Sequence, residues 1–257
     1  MTGVTSYTIR DRASALVVGQ SCAVNDVMSR SETTEDGGGS DLSMQCSTKE
    51  ELFFAHLYQN SLLHRYAMNS VQPNIVRSYS SEGYLKLPLP QTTYEWLQEW
   101  YLQNEELEEQ ESNAGAVGTQ HEVPWFVRHV PGDLKDRLAL EVRPMLAEWS
   151  GFTEEELELT SCYGIRRYVN GSKLRMHVDT VQTHAVSVII NVAQENMEED
   201  WVLEIKTHDG TYSYVTMTPG DVVLYESAKC LHGRPDPLKG DSYANIFLHF
   251  KPGLDKW

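Results

Sequence analysis

The chain has 257 residues, enough for one large domain or for one domain with a tail. Its formal net charge is −16 at pH 7, and it contains no run rich in Lys or Arg that could neutralise phosphates. These features argue against nucleic acid and anionic membrane surfaces as partners and leave a small molecule or a peptide. No apolar run approaches the ~20 residues that a membrane span requires.

The four cysteines are scattered and form no Cys-x-x-Cys pair, a usage typical of a reducing compartment. The first residues lack a basic segment followed by an apolar one, so the sequence does not indicate a secretory signal. We therefore expect a cytoplasmic protein. Arg10, Arg12 and Arg30, which lie among several serines, leave an organelle transit peptide as the alternative.

Residues 1–46 are rich in Ser, Thr and Gly and show no sustained hydrophobic periodicity. Such a segment buries too little apolar surface to offset the entropy lost on ordering, so we expect a mobile N-terminal segment. The folded domain is predicted to cover residues 47–257. It would consist of supporting helices over 47–156 and a β-rich core over 157–252.

Three helices are predicted in the supporting region. The first begins with a capping box at Thr48, and the second opens with a similar signal at Thr92. The third follows Pro131 and contains Pro144, which is expected to kink or split it. Between the second and third helices, a small-residue loop over 112–120 could serve as a lid or as a plain connector.

From about residue 157 the hydrophobic period becomes that of strands. Asn-Gly, Asp-Gly, Pro-Gly and Lys-Gly turns separate these stretches, and no helical pattern intervenes. Many short strands of this kind predict an antiparallel sandwich or barrel. The predicted strands are 162–169, 174–180, 184–193, 201–207, 211–217, 221–226 and 243–250.

One stretch within these strands, Arg175-Met-His177-Val-Asp179, carries residues suited to binding a metal. Residues i and i+2 of a strand share a face, so His177 and Asp179 point to the same side. His232 would add a second imidazole from a distant strand. Two imidazoles and one carboxylate suit non-haem Fe(II) with open coordination positions. An incidental His-x-Asp on a strand is the alternative interpretation.

Four motifs follow one another in the second half of the chain. Arg167-Tyr168-Val-Asn-Gly171 precedes His177-x-Asp179, and Pro219-Gly220-Asp221 precedes Leu231-His232-Gly233. In this order they resemble the Fe(II)/2-oxoglutarate-dependent dioxygenases, specifically the prolyl 4-hydroxylase-like family, over roughly residues 160–252. The resemblance implies an α+β, mainly β fold: a double-stranded β-helix, or jelly-roll, cupin-like barrel, with supporting N-terminal helices.

The same resemblance implies a site and its cofactors. His177, Asp179 and His232 would be the metal ligands for Fe(II), and Tyr168 would bind the distal carboxylate of the cosubstrate 2-oxoglutarate. O2 would react at the metal, and ascorbate would serve as reductant. Three protein ligands leave room for the 2-oxo acid and for O2, and the products would include succinate and CO2.

One position departs from the family's pattern. The family places a Lys or Arg after the distal histidine, where it pairs with the outer carboxylate of 2-oxoglutarate, and this chain has Ser242 there. Arg234, Lys239 and Arg166 are the basic candidates for this cofactor-binding role. By strand alternation Arg166 shares a face with Tyr168, and a surface salt bridge is the alternative for it.

The residues that would meet the substrate are less strongly indicated. Arg175 shares the face of the expected metal ligands and is the candidate anchor for a substrate carboxylate, with a structural ion pair as the alternative. Trp201 and Tyr225 are candidates for lining the substrate pocket, although aromatic residues on such strands more often belong to the core. His184 and His249 are interpreted as structural.

Together these features predict an enzyme that takes hydrogen from an unactivated C–H bond of an amino-acid-like, carboxylate-bearing small molecule. Hydroxylation or oxidative ring closure, as in kainoid-type cyclases, would complete the reaction. A peptidyl-prolyl 4-hydroxylase acting on a peptide is the first alternative. A catalytically silent jelly-roll binding module and a cupin-like metalloprotein with another reaction are the others. No feature of the sequence indicates an oligomeric state.

Overall fold

The computed structural model describes residues 5–10, 23–25, 41–46, 49–111, 117–118 and 122–253, with side chains from residue 62 onward. Two compact units divide the chain, Met1–Ala67 and Met68–Trp257. Most of the predicted mobile segment and of the predicted lid loop lies outside the described residues, so the two expectations stay predictions.

The first unit contains a small antiparallel sheet. Its strands are β1 (Thr5–Arg10), β2 (Ala23–Asn25) and β3 (Asp41–Cys46), in the spatial order β1-β3-β2. Helix α1 (Lys49–Ile75) includes residues of both units. In the described part of the chain no helix has an apolar stretch long enough to cross a bilayer.

The second unit adds two helices, α2 (Gln91–Gln103) and α3 (Gly132–Ser150). The buried residues of α3 recur at helical spacing, as the amphipathic pattern requires. The split expected at Pro144 is wrong, because α3 is continuous across this residue. Pro144 leaves the carbonyl of Leu140 without its helical N–H partner, and Leu140 lies on the solvent face, where its side chain is 64% exposed. Water can therefore bond to that carbonyl.

Two antiparallel sheets make up the body of this unit. In chain order the strands are β4 (Tyr84–Pro88), β5 (Glu108–Gln110), β6 (Phe126–Arg128), β7 (Leu157–Ser161), β8 (Ile165–Val169), β9 (Leu174–His177), β10 (Val186–Glu195), β11 (Leu203–Lys206), β12 (Tyr212–Val215), β13 (Asp221–Tyr225), β14 (His232–Arg234) and β15 (Ser242–Pro252). The main sheet has the order β4-β13-β10-β15-β8-β6-β5, with β7 also paired to β15, and the minor sheet has the order β12-β11-β14-β9. This arrangement confirms the predicted jelly roll with supporting helices.

The central strand β10 shows how the sequence separates the two faces of the main sheet. Val186, Val188, Ile190 and Val192 alternate along it and pack in one buried cluster with residues of α2 and α3. Ile189, between them, belongs instead to the cluster shared with the minor sheet. Period-2 alternation therefore produces a helix-covered face and an inner face.

The strands differ most clearly from the predicted ones in two places. The predicted strand 162–169 begins only at Ile165, as β8, because the chain turns at Gly164, whose φ is +146°, and β7 precedes the predicted start. A Cβ at Gly164 would lie 2.4 Å from the carbonyl oxygen of Arg128, so only glycine fits. The region expected to be helical support also supplies β5 and β6, which extend the main sheet past β8.

We expect Leu138→Ala to lower the free energy of unfolding by about 2–5 kcal/mol, because Leu138 is fully buried in the cluster that joins α3 to the main sheet. Leu140→Ala on the same helix is the control, and its effect should stay within about 0.5 kcal/mol because that side chain is exposed. Urea unfolding followed by circular dichroism measures both variants. Equal effects would contradict this packing.

Candidate active site

The pairing of β9 with β14 brings the predicted metal ligands together. His177 lies directly opposite His232 in the register of these strands, and their ring centroids are 4.4 Å apart. Asp179 follows the end of β9, and its carboxylate Oδ1 is 3.5 Å from Nε2 of His177. One ligand atom from each residue lies within 4.8 Å of the other two. Within the described ranges this is the one His/Cys/Asp/Glu group of suitable size for a metal.

Backbone carbonyls orient both imidazole rings in the same way. Nδ1 of His177 is 2.7 Å from the carbonyl oxygen of Arg175, and Nδ1 of His232 is 2.9 Å from that of Cys230. Because a carbonyl oxygen only accepts, each Nδ1 carries a proton, and Nε2 is the nitrogen of each ring that remains to bind a metal. The two histidines are therefore in the tautomer that binds a metal through Nε2.

Asp179 is ionised in this environment. Burial raises the pKa of its carboxyl, but the nearby side chains of His177 and His232 outweigh burial and hold the pKa well below its usual range. Burial lowers the pKa of His249 to about 3, against the charge of Asp179, so His249 is neutral at pH 7. Two imidazoles and one ionised carboxylate form a donor set that suits a divalent cation.

The three ligands line a cavity of about 440 Å³ that lies between the main and minor sheets. Its inner surface combines apolar residues of both sheets, such as Ile189, Leu203 and Phe247, with many polar and titratable residues. The polar residues that line it include Glu109, Glu111, His129, Arg166, Tyr168, His184, Tyr225, Arg234, Asn245 and His249. A cavity that combines an apolar wall with convergent polar and titratable groups is typical of a small-molecule site.

Arg234 is the most unusual of these polar residues, because its guanidinium is buried without a carboxylate. It is 2% exposed and lies over the rings of Trp201 and Tyr243, at 4.8 and 4.7 Å from their centroids. It donates to the carbonyl oxygen of Trp201 and to the Tyr243 hydroxyl, the latter at 3.3 Å. No acidic side chain of the described chain is among its partners. A buried cation in this state favours the binding of an anion.

Tyr168 adds a second unsatisfied group on the same cavity wall. Its hydroxyl is buried, and no hydrogen-bond partner for it exists among the described side chains and backbone. Burial raises the pKa of Tyr168 against the opposing charges of Arg166 and Arg234, so the hydroxyl is protonated and can donate. Its ring packs edge-on against those of Trp125 and Trp201.

Arg166 faces the cavity, as strand alternation with Tyr168 predicts, but it has an acidic partner. Its Nε and Nη2 donate to the two carboxylate oxygens of Glu111 at 2.7 and 2.6 Å. Arg167 lies between Arg166 and Tyr168 on β8, so its side chain points to the opposite face of the sheet, where it pairs with Glu108. Arg166 is therefore an interior ion pair, neither a surface salt bridge nor a free cation.

Three other predicted site residues lie away from the cavity surface. Lys239 is half exposed and pairs with Glu199 at 3.0 Å. Arg175 is partly buried and donates to the carbonyl oxygen of Gly118 at 3.1 Å, and it is absent from the residues that line the cavity. Trp201 is buried behind the wall, where it supports Tyr168 and Arg234 through ring contacts.

Solved structures share this arrangement of sheets. No family model and no curated protein matches the chain. It is similar to a prolyl-4-hydroxylase from Pseudomonas putida, with a TM-score of 0.51 and 14% identity over 67% of this chain and 94% of that one. The fold is that of the 2-oxoglutarate-dependent Fe(II) oxygenases.

Two further structures of this class show the same similarity. An oxidoreductase of the 2OG-Fe(II) oxygenase family from Burkholderia pseudomallei has a TM-score of 0.51 and 16% identity over 66% of this chain and 85% of that one. HygX from Streptomyces hygroscopicus, solved with nickel and 2-oxoglutarate bound, has a TM-score of 0.50 and 15% identity over 68% and 84%. The predicted resemblance to this class is confirmed for the fold.

The cavity also contains polar residues that the sequence pattern did not indicate as part of the site. Glu111 belongs to an acidic run that is typical of a solvated helix face, yet it pairs with Arg166. His184 and His249, interpreted as structural, stack with ring centroids 3.9 Å apart and line the cavity. His249 could have been found by alternation, because it lies four residues after Asn245 on β15 and both line the cavity.

Gly233 permits the close approach of the two strands that carry the histidines. A Cβ at this position would lie 2.8 Å from the carbonyl oxygens of both Leu174 and Arg175, on β9. Any other residue would therefore force β14 and β9 apart, and His232 and His177 would separate with them.

We expect Gly233→Ala to weaken the binding of Co(II), used as a divalent probe, by about 10-fold or more, because it displaces the strands that hold two ligands. Gly132→Ala is the matched control, since a Cβ there meets no atom within 4 Å. Calorimetric titration measures both affinities. An unchanged affinity for Gly233→Ala would contradict the tight pairing of these strands.

Proposed function

We propose that the protein is an Fe(II)/2-oxoglutarate-dependent oxygenase that takes hydrogen from an unactivated C–H bond of an amino-acid-like substrate. The observation that carries this proposal is that one cavity contains both the His177, Asp179 and His232 group and a buried guanidinium without a carboxylate partner. The first suits Fe(II) with open positions, and the second suits a carboxylate of the cosubstrate.

The residues present fit the metal. Two imidazoles with free Nε2 lone pairs and one ionised carboxylate are the donor set that non-haem Fe(II) takes, with its other positions open. In this role His177, Asp179 and His232 hold the ion on the side of the minor sheet. When bound, Fe(II) with 2-oxoglutarate and O2 would supply an oxidant strong enough for an aliphatic C–H bond, and ascorbate would keep the iron reduced.

The residues also fit the cosubstrate. Arg234 can take the role of the missing basic residue, because its guanidinium lines the cavity and lies against Tyr243. Ser242 itself donates to Glu195 at 2.7 Å and is engaged elsewhere. Arg234 and the Tyr168 hydroxyl together would bind the outer carboxylate, a charge-assisted pairing that also satisfies two buried groups. Arg234 and Tyr168 are therefore our assignments, ahead of Arg166 and Lys239.

The chain's own residues would orient the substrate and exclude water. Glu109, His129 and Tyr163 line the cavity and are 65%, 61% and 59% exposed, which marks its outer end. Arg166 and Glu111 present opposite charges to the cavity just inside it. An amino-acid-like molecule carries the complementary pair, with a carboxylate for Arg166 and an amino group for Glu111. Arg166 thus takes the anchoring role that the sequence suggested for Arg175.

The product would report the reaction and the substrate class. Hydroxylation adds one oxygen atom, whereas ring closure of the kainoid type removes a pair of hydrogen atoms. A prolyl residue within a peptide is the alternative substrate, and it is supported by the similarity in fold to a prolyl-4-hydroxylase. Mass spectrometry of free amino acids and of prolyl peptides after incubation separates these cases.

We propose that the protein is cytoplasmic, with an organelle transit peptide as the alternative. Cys162 and Cys230 are free and buried, and burial raises the pKa of their thiols to about 11 and about 12. Such protonated thiols are consistent with a reducing compartment, where Fe(II) is also kept reduced more easily.

Incubation with Fe(II), ascorbate, 2-oxoglutarate and O2 should yield succinate, and His177→Ala or Asp179→Ala should abolish it because each variant removes a metal ligand. Succinate is measured by chromatography after incubation with a pool of amino acids and prolyl peptides. Stoichiometric iron without succinate would favour the silent binding module. Full activity of either variant would remove that residue from the metal site.

Arg234→Gln should raise the KM for 2-oxoglutarate by about 10–100-fold, because a charge-assisted pairing with a buried carboxylate is lost. Lys239→Gln is the control, and it should leave this KM unchanged because Lys239 is exposed and pairs with Glu199. Steady-state succinate formation measures both. The opposite ranking would assign the outer carboxylate to Lys239.

A further inference from the structure

The last turns of α1 present two amide side chains to the backbone that carries the metal ligands. Asn69 and Gln72 are three residues apart and so lie on one helix face. Asn69 Nδ2 donates to the carbonyl oxygen of Met176 at 3.1 Å, and its Oδ1 accepts from the N–H of Val178 at 3.0 Å. The Asn69 amide thus bonds on both sides of His177, as a neighbouring strand would.

Gln72 bridges the two segments that supply the ligands. Its Nε2 donates to the carbonyl oxygens of Asp179 and Ala228, each at 2.6 Å, and Val181 N–H lies 3.4 Å from its Oε1. Gln72 is 7% exposed, so these bonds form away from water. One buried amide therefore joins the segment of Asp179 to the segment that leads into His232.

Strand pairing does not cover this part of the site. β9 ends at His177, so Asp179 lies beyond the ladder that pairs β9 with β14. The backbone of Asp179 is held by its N–H bond to the carbonyl oxygen of Ser227, at 2.8 Å, and by Gln72. Without Gln72, the carbonyl groups of Asp179 and Ala228 would lose a buried donor, and the distance between their segments would be less constrained.

We propose that Asn69 and Gln72 are positioning residues for the metal site. They act through the backbone: Asn69 fixes the orientation of the His177 segment, and Gln72 fixes the spacing between the Asp179 and His232 segments. They touch neither metal nor substrate. The inference rests on the proposed metal site, and it concerns how tightly and in what geometry the ion is held.

The test measures metal binding rather than turnover. Co(II) is titrated anaerobically into the full chain, and both its dissociation constant and its visible d–d spectrum are recorded. Gln72→Met keeps the side-chain length but removes the amide, and Gln72→Asn keeps an amide that is too short to reach both carbonyls. Asn69→Leu removes the amide that bonds to the backbone on both sides of His177. The control is Asn74→Leu on the same helix, whose exposed amide bonds only to the carbonyl oxygen of Ser70, at 2.9 Å.

We expect Gln72→Met and Asn69→Leu to weaken Co(II) binding by about 10–100-fold and to change the d–d spectrum, with Gln72→Asn intermediate and Asn74→Leu unchanged. Wild-type affinity and spectrum in Gln72→Asn and Asn69→Leu would overturn the inference, even where Gln72→Met fails to fold. A loss of affinity with an unchanged spectrum would overturn it as well. A wild-type chain that binds no Co(II) would instead overturn the metal site itself.

Discussion

The site depends on the antiparallel pairing of β9 with β14, which places His177 opposite His232. The two strands approach closely because Gly233 has no side chain, and carbonyl groups of the same strands set the tautomer of each ring. The hydrogen bonds that build the minor sheet therefore also prepare the donor atoms. A shift of either strand by one residue would turn its histidine to the opposite face of the sheet, away from the other ring.

Around this pair the main sheet provides a rigid wall and the helices provide its support. The inner face of the main sheet supplies Tyr168, Tyr225 and His249, while its outer face packs on α2 and α3. Because those strands are held by a continuous apolar cluster, the polar groups inside the cavity stay in place even where their hydrogen bonding is incomplete. Packing on the outer face of the main sheet thus holds the polar side chains on its inner face in place.

Much of this could be read from the sequence, and the remainder depends on tertiary structure. Strand alternation and the order of the motifs correctly brought His177, Asp179 and His232 together and placed Arg166 with Tyr168. The choice between Arg234 and Lys239 depends on side-chain direction and burial, which composition does not encode. Gln72 lies more than 100 residues before the segments that it joins, on a helix whose hydrophobic pattern gives no sign of this contact. The split expected at Pro144 is absent, because the carbonyl of Leu140 that it leaves unpaired lies on the solvent face of α3.

The buried guanidinium of Arg234 links the binding of an anion in the cavity to the stability of the folded protein. An empty cavity leaves this charge uncompensated, and an anion that neutralises it stabilises the native state but not the unfolded chain. Resistance to heat and to proteases would then rise and fall with the supply of a small dicarboxylate.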